Sequence, residues 1–121
     1  MSGNCLLLAN RKAIELDRRK TSFMFCCGEF DPMYYDPAIA RGLHVWVETS
    51  DGTYSSTTNP DTGMENMELV TGLERTMRDV YKIDANTYWK YHEIVCSLQD
   101  KTGKAYFTLP STCRMIRSKQ L

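Results

Sequence analysis

Cysteine and histidine are the side chains with the most specific chemistry in this sequence, and metal binding is the first use to consider. His92 and Cys96 stand four residues apart in a β-prone run. Structural zinc sites favour closely paired ligands of these two types. On one face of a strand, however, the two side chains would be about 13 Å apart, too far to share one ion. The sequence therefore predicts no metal site and no cofactor.

A cysteine nucleophile is the second use, and it would need a neighbouring base and an exposed, electropositive position. The fold would have to bring the adjacent residues Cys26 and Cys27 close to His44 or His92. Both thiols lie in an apolar run that is typical of a core strand, where cysteine acts as a small buried hydrophobe. A small enzyme with a Cys/His site is therefore an alternative hypothesis, and the sequence leans towards a protein without catalysis.

An acid–base site in the segment after this run is another enzymatic alternative. Glu29, Asp31 and Asp36 lie there close to Tyr34 and Tyr35, beside the end of a predicted strand. Positioned carboxyl and phenol groups can transfer protons, and functional residues are often placed on such loops. Polar loops also have this composition without any catalytic role, so the pattern does not define a reaction.

Aromatic and basic residues are combined in residues 88–92, Tyr-Trp-Lys-Tyr-His, which the sequence pattern places on a strand. Proteins that bind single-stranded nucleic acid stack bases on such rings, and Lys101 and Lys104 in the next turn could contact phosphates. The sequence pI of about 6.7 disfavours this alternative, because dedicated nucleic-acid-binding domains are usually strongly basic.

Recognition of a protein partner, or of a second copy of the chain, is the function that the composition favours. Interface cores are enriched in tyrosine, tryptophan and methionine, and the chain has seven tyrosines, two tryptophans and seven methionines. We expect a small intracellular module of the assembly, inhibitor or sequestering type that self-associates, with a small-molecule ligand as a further candidate partner. Such a module would suit a viral or phage accessory protein. The predicted binding residues are Met33, Tyr34, Tyr35, Tyr88, Trp89, Tyr91 and His92.

The composition and charge of the chain indicate its domain number, its redox environment and its charge distribution. With 121 residues, 42% of them hydrophobic and 25% charged, the chain fits one globular domain over residues 1–121. No apolar run approaches the length of about 18 residues that a membrane span needs. Five cysteines, an odd number that includes an adjacent pair, predict reduced thiols and a cytoplasmic location. Basic residues concentrate at both ends of the chain and acidic residues in its middle, a polarity that can steer association.

An α+β fold must position these residues: an antiparallel sheet built from β-hairpins, with one main amphipathic helix packed on it. Residues 21–27 predict a strand that is covered on both faces, because apolar side chains occupy both alternating sets. Asp51-Gly52 between alternating runs predicts a hairpin over residues 43–56 with a type I′ turn. Trp46 is expected on the face opposite the one that holds Val45 and Val47.

The N-terminal segment is predicted as two strands, residues 5–9 and 14–17, with a single helix over residues 6–19 as the alternative. After the first acidic loop, a proline and a later glycine predict one helical turn over residues 37–41.

The main helix is predicted over about residues 64–81, where apolar residues recur at spacings of three and four. A second hairpin is predicted over residues 88–109, around a polar turn that contains a glycine. Its first residues, 88–92, are expected to be free to bind.

Overall fold

The computed structural model describes residues 5–36 and 43–90. The elements in these ranges are α1 (Cys5–Arg18), β1 (Met24–Phe30), β2 (Leu43–Thr49), β3 (Gly52–Thr58), β4 (Glu65–Val70), a 3-10 turn (Glu74–Thr76), β5 (Met77–Asp84) and α2 (Ala85–Lys90). The predicted helical turn over residues 37–41 and the predicted hairpin beyond residue 90 lie outside the described residues. No helix in the described part of the chain is both long and apolar enough to cross a membrane.

The strands form one antiparallel sheet in the order β4-β3-β2-β1-β5. This arrangement, with one main helix and one short helix, confirms the predicted α+β class. The predicted strand over residues 21–27 is confirmed as β1, displaced to Met24–Phe30, and it lies inside the sheet between β2 and β5. Its side chains divide between two clusters: Phe25 packs with α1, whereas Cys26 packs with Trp46 and Met77. We call the two sides of the sheet the α1 face and the Trp46 face.

The N-terminal segment is helix α1, so the prediction of strands over residues 5–9 and 14–17 is wrong and the helical alternative is correct. The buried stripe of α1 includes two alanines and an asparagine, so a pattern based on large apolar residues does not reveal it. The large apolar residues Leu7 and Ile14 lie on a less buried side of the helix. The buried stripe follows the helical period: Cys5, Leu6, Ala9, Asn10, Ala13 and Leu16.

The predicted helix over residues 64–81 is wrong, because this segment forms β4, the 3-10 turn and most of β5. Gly72 has a φ of 74°, in the left-handed region that a helix interior does not contain. β4 is an edge strand that leaves Leu69 55% exposed, so its apolar residues do not alternate clearly. The spacing of three to four between apolar residues in this segment is therefore a coincidence. The main amphipathic helix of the fold is α1.

The Trp46 face is a second core rather than an open surface. Trp46 is fully buried there, together with Cys26 and Met77. Gly28 lies within β1, and a Cβ atom at this position would stand 2.9 Å from Cη2 of the Trp46 ring. The missing side chain at residue 28 therefore makes room for the indole.

The hairpin of β2 and β3 is confirmed, but its turn differs from the predicted one. Thr49 pairs with Gly52, so Ser50 and Asp51 are the loop residues. Neither loop residue has the positive φ that a type I′ turn requires. The Thr49 hydroxyl instead accepts a hydrogen bond from the Asp51 amide at 3.1 Å, which fixes the turn.

Helix α2 begins where the sequence predicted a link to the second hairpin, and it includes Tyr88, the predicted first residue of a strand. Oδ1 of Asp84 accepts a hydrogen bond from the Thr87 amide at 2.7 Å, which is an N-cap contact. Because this bond favours the charged carboxylate, it lowers the pKa of Asp84. The sequence Asp-Ala-Asn-Thr contains this capping signal, which the prediction of a hairpin overlooked.

Candidate functional site

The sheet opens between β2 and β3. Within the described residues, their pairing runs from Thr49–Gly52 at the turn to Val47–Tyr54 and no further. Beyond this point β2 remains paired with β1, and β3 remains paired with β4. The two halves of the sheet therefore diverge, and residues from both halves line a cavity of about 360 Å³.

A histidine and a serine bridge this gap. Nε2 of His44 on β2 lies 2.7 Å from Oγ of Ser55 on β3, and both side chains are buried. The His44 ring packs against Phe30, at a centroid distance of 5.3 Å, and against Trp46, at 6.0 Å. Burial lowers the pKa of His44 to about 4, so the imidazole is neutral at neutral pH. One ring nitrogen is then a donor and the other an acceptor, and the serine hydroxyl can do both.

A neutral histidine on a serine hydroxyl is also part of the arrangement that activates serine nucleophiles. That arrangement needs a third group that orients the imidazole, and donors that stabilise an oxyanion. In the described part of the chain, His44 contacts the Ser55 hydroxyl and two aromatic rings, and no carboxylate lies at Nδ1. The described geometry is that of a buried polar pair, without the further groups that a serine nucleophile needs.

Apart from Glu65, the rest of the described cavity lining is apolar or bears hydroxyl groups. Phe30, Tyr35 and Leu73 supply carbon surface. Glu65 is the one charged side chain among the lining residues that the structure describes, and these include neither lysine nor arginine. Hydroxyl groups come from β3, from the segment after β4 and from the 3-10 turn: Ser55, Ser56, Thr58, Thr71 and Thr76.

The loop over residues 31–36, which follows β1, borders the cavity and has a fixed backbone. Oδ1 of Asp31 accepts a hydrogen bond from the Met33 amide at 2.9 Å. The Asp31 carbonyl accepts hydrogen bonds from the amides of Tyr34, at 3.0 Å, and Tyr35, at 3.2 Å. The Tyr35 ring packs on Phe30 at 4.9 Å, and its hydroxyl lies 3.0 Å from a threonine hydroxyl of the 3-10 turn. Tyr35 thus anchors the loop, while Met33 and Tyr34 are 82% and 56% exposed.

The predicted binding residues do not form one surface. Tyr35 belongs to the cluster on the Trp46 face, whereas Tyr88 and Trp89 belong to the cluster on the α1 face. Met33 and Tyr34 are exposed beside Tyr35, as a binding loop requires, and their role in binding stays a prediction. The last two predicted residues, Tyr91 and His92, lie outside the described residues.

Tyr88 is fully buried, so its prediction as an exposed binding residue is wrong. As part of α2, it packs its ring 4.9 Å from Phe25 and donates a hydrogen bond from its hydroxyl to Oδ1 of Asn10 on α1. Trp89 is partly buried against the Tyr88 ring at 5.0 Å. Residues 88–90 therefore do not form the strand on which nucleic-acid bases were expected to stack. The other residues of that hypothesis, Tyr91, His92, Lys101 and Lys104, lie outside the described residues.

The described cysteines, Cys5, Cys26 and Cys27, are free and buried, which confirms reduced thiols for this part of the chain. Burial raises the pKa of Cys5 and of Cys26, so these thiols are poor nucleophiles. The Cys26 thiol donates to the Met24 carbonyl at 3.5 Å, whereas His44 is hydrogen-bonded to Ser55, so the described residues give no support to a site that joins Cys26 and His44. His92, the other histidine of that hypothesis, lies outside the described residues.

The described ranges contain no group of three or more metal-ligating side chains that could hold an ion. Two of the predicted acid–base carboxylates have structural partners among the described residues. Glu29 forms an ion pair with Arg78 at 2.8 Å, and Asp31 holds the loop backbone.

The outer side of α1 carries a basic strip that the sequence analysis did not single out. Arg11, Ile14 and Arg18 are spaced three and four apart, so they follow one another along one side of the helix. Both arginines are exposed and line a shallow groove of about 380 Å³ with Ile14. The neighbouring Arg19 is paired with Glu15 at 2.9 Å. Among the residues that the structure describes, no carboxylate forms an ion pair with Arg11 or Arg18.

Comparisons with protein-family models, with curated proteins and with solved structures find no match to this chain. The geometry of the loop, the strip and the cavity is therefore the basis for a functional assignment.

Proposed function

We propose that this protein is a small cytoplasmic binding module of the assembly, inhibitor or sequestering type, and that it self-associates through the loop over residues 31–36. The observation that supports the proposal is the exposure of Met33 and Tyr34 on a loop with a fixed backbone. Such a loop loses little conformational entropy on binding, so the burial of its apolar side chains contributes strongly to affinity. Free, buried thiols match the reducing conditions of the cytoplasm.

The basic strip of α1 on a second copy is the surface that suits this loop. Asp31 and Asp36 flank Met33 and Tyr34, and residues 31–36 contain no basic side chain. The strip has the complementary arrangement, with one arginine on each side of Ile14. If the loop of each copy docks on the strip of the other, twofold symmetry closes the assembly as a dimer with two identical contacts.

The size of these surfaces indicates a weak interface. Met33 and Tyr34 together can bury roughly 300 Å² per copy, whereas a standard interface buries about 800 Å² per partner. Even when the area buried on the strip is added, the total buried area lies at the low end of the range for specific interfaces. We therefore expect a dissociation constant in the micromolar range that increases with salt, because Arg11, Arg18 and Asp36 are exposed and their charges are screened.

Sedimentation velocity from about 2 to about 200 µM tests the proposal. The wild-type chain is expected to shift from monomer to dimer within this range, and the double variant Met33→Ala/Tyr34→Ala is expected to stay monomeric. Met64→Ala is the matched control, because Met64 is 61% exposed but lies outside the loop. A wild-type chain that is monomeric throughout, or a dimer that survives in the double variant, would contradict the proposal.

The strip is tested separately by charge reversal. Arg11→Glu/Arg18→Glu should abolish the dimer without altering the fold, because both side chains are exposed. An intact dimer in this variant would show that α1 is not the docking surface.

A further inference from the structure

We propose that the cavity between β2 and β3 binds a small, uncharged, planar heterocycle that has both a hydrogen-bond donor and an acceptor. The cavity volume of about 360 Å³ lies within the range of about 300–1,000 Å³ that is typical of small-molecule sites. Neither Met33 nor Tyr34 is among the lining residues, although Tyr35 of the same loop is.

The pair of His44 and Ser55, which spans the gap between the diverging strands, gives the cavity hydrogen-bonding capacity. Antiparallel strands that separate no longer satisfy each other's N–H and C=O groups, and buried groups of this kind need partners. Beyond the pair Val47–Tyr54, the hydrogen bond between His44 and Ser55 spans the gap from one half of the sheet to the other. A ligand edge with a donor next to an acceptor can pair with this histidine and serine, because a neutral imidazole and a hydroxyl offer both functions.

The charge of the lining favours an uncharged ligand. The described lining residues include no lysine or arginine, so a phosphate or carboxylate would be buried there without a counter-charge. The described part of the lining therefore favours an uncharged ligand over an anion.

The shape and polarity of the walls favour a planar ring. Phe30, Tyr35 and His44 place three rings around one part of the cavity, with Phe30 4.9 Å from Tyr35 and 5.3 Å from His44. Flat heteroaromatic ligands stack well on such walls. A sugar-like polyol of the same size would press several hydroxyl groups against carbon surface and lose their hydrogen bonds to water.

The test is an NMR titration of the isotope-labelled full chain with two uncharged heterocycles, uracil and nicotinamide. For ligands of about nine heavy atoms, a dissociation constant of about 1 mM is expected, so additions reach about 10 mM. The amide signals of Ser55, Ser56 and Thr76 and the imidazole signals of His44 should shift together. Benzoate, a planar anion, and myo-inositol, an uncharged polyol, should leave these signals unchanged.

Two variants and one control locate the binding. Ser55→Ala removes the hydroxyl of the His44–Ser55 pair and should weaken binding of the heterocycle about tenfold. Thr57→Ala is its matched control, because the Thr57 hydroxyl lies on the same strand but donates to Glu68 at 2.9 Å outside the cavity lining. Thr71→Trp places a large ring at the exposed rim and should block entry without altering the core, which keeps the test valid if Ser55→Ala does not fold.

The outcomes are distinct from those of the dimerisation test. The variant Met33→Ala/Tyr34→Ala should bind uracil and nicotinamide as the wild-type chain does. The proposal is overturned if neither heterocycle shifts the cavity signals, if myo-inositol shifts them equally, or if binding is unchanged in Thr71→Trp.

Discussion

Lowering the pH from about 8 to about 5 is expected to destabilise this protein through His44, whose burial separates its folded and unfolded pKa values. The ring is 7% exposed and packs against the Phe30 and Trp46 rings, where a positive charge would lose its hydration. The unfolded chain can protonate this histidine in mildly acidic solution, and the folded chain resists doing so.

The magnitude follows from the two pKa values, 6.5 when the side chain is in water and about 4 in the folded protein. Because the folded value is the lower one, the unfolded chain binds more protons between them, and the free energy of unfolding rises with pH in this window. The stability contributed by neutral His44 is fully present above pH 6.5 and is lost as the pH falls towards 4. At pH 5 the loss is about 2 kcal/mol, and its limit at lower pH is about 3 kcal/mol.

Urea unfolding of the wild-type chain and of His44→Gln, each at the two pH values, measures this effect. The quantity to compare is the change of unfolding free energy with pH, so the fixed effect of the substitution cancels. The titrations of His92 and of the carboxylates are common to both chains and cancel as well. The variant is expected to lose about 2 kcal/mol less than the wild-type chain. Equal losses in the two chains, or an imidazole NMR signal of His44 that titrates near 6.5, would refute the reasoning.

Three further perturbations have defined outcomes. Gly28→Ala should lower the free energy of unfolding by about 1–3 kcal/mol in urea, since its Cβ would stand 2.9 Å from Trp46; a Trp46→Phe background should reduce this effect. Tyr88→Phe should lower the free energy of unfolding by about 1–3 kcal/mol, because the buried acceptor Asn10 loses a donor. An unchanged urea midpoint would show that this hydrogen bond does not contribute to stability. In a Cys96→Ser/Cys113→Ser background, the remaining thiols should react with a disulfide reagent only on unfolding, and immediate reaction of the native chain would argue against their burial.

Local pattern was sufficient for the parts of the fold that depend on neighbours in sequence. The hairpin of β2 and β3 and the two-sided burial of β1 both follow from alternation over short runs. Periodicity of large side chains alone misplaces the helices. In α1, Ala9 and Ala13 are fully buried, and small residues of this kind are invisible to such a count.

The segment over residues 64–81 shows the opposite error. Its apolar residues belong to two strands and a 3-10 turn, and Gly72, with a φ of 74°, interrupts the segment in the middle. Helical spacing across such an interruption has no structural meaning, but the sequence does not mark the interruption beyond a single glycine.

The candidate site was predictable only in part, and for a similar reason. The exposure of Met33 and Tyr34 follows from a proline-containing loop with an aspartate that can hold it. The pairing of His44 with Ser55 does not follow from the sequence, since it depends on where two strands stop pairing, which is a property of the whole sheet. The burial of Tyr88 likewise depends on contact with Asn10 on a distant helix.

The position of β5 beside β1 has a consequence for the order of folding. β1 to β4 pair with their neighbours in sequence, whereas β5 returns to pair Asp84 with Met24, 84 − 24 = 60 residues away. Closing a loop of this length is less favourable than closing a tight hairpin by roughly 2 kcal/mol of chain entropy. We expect β5 to dock last and to set the folding rate. Until it docks, the open edge of β1 and the uncovered Trp46 are available to a neighbouring chain, so aggregation competes with this final step.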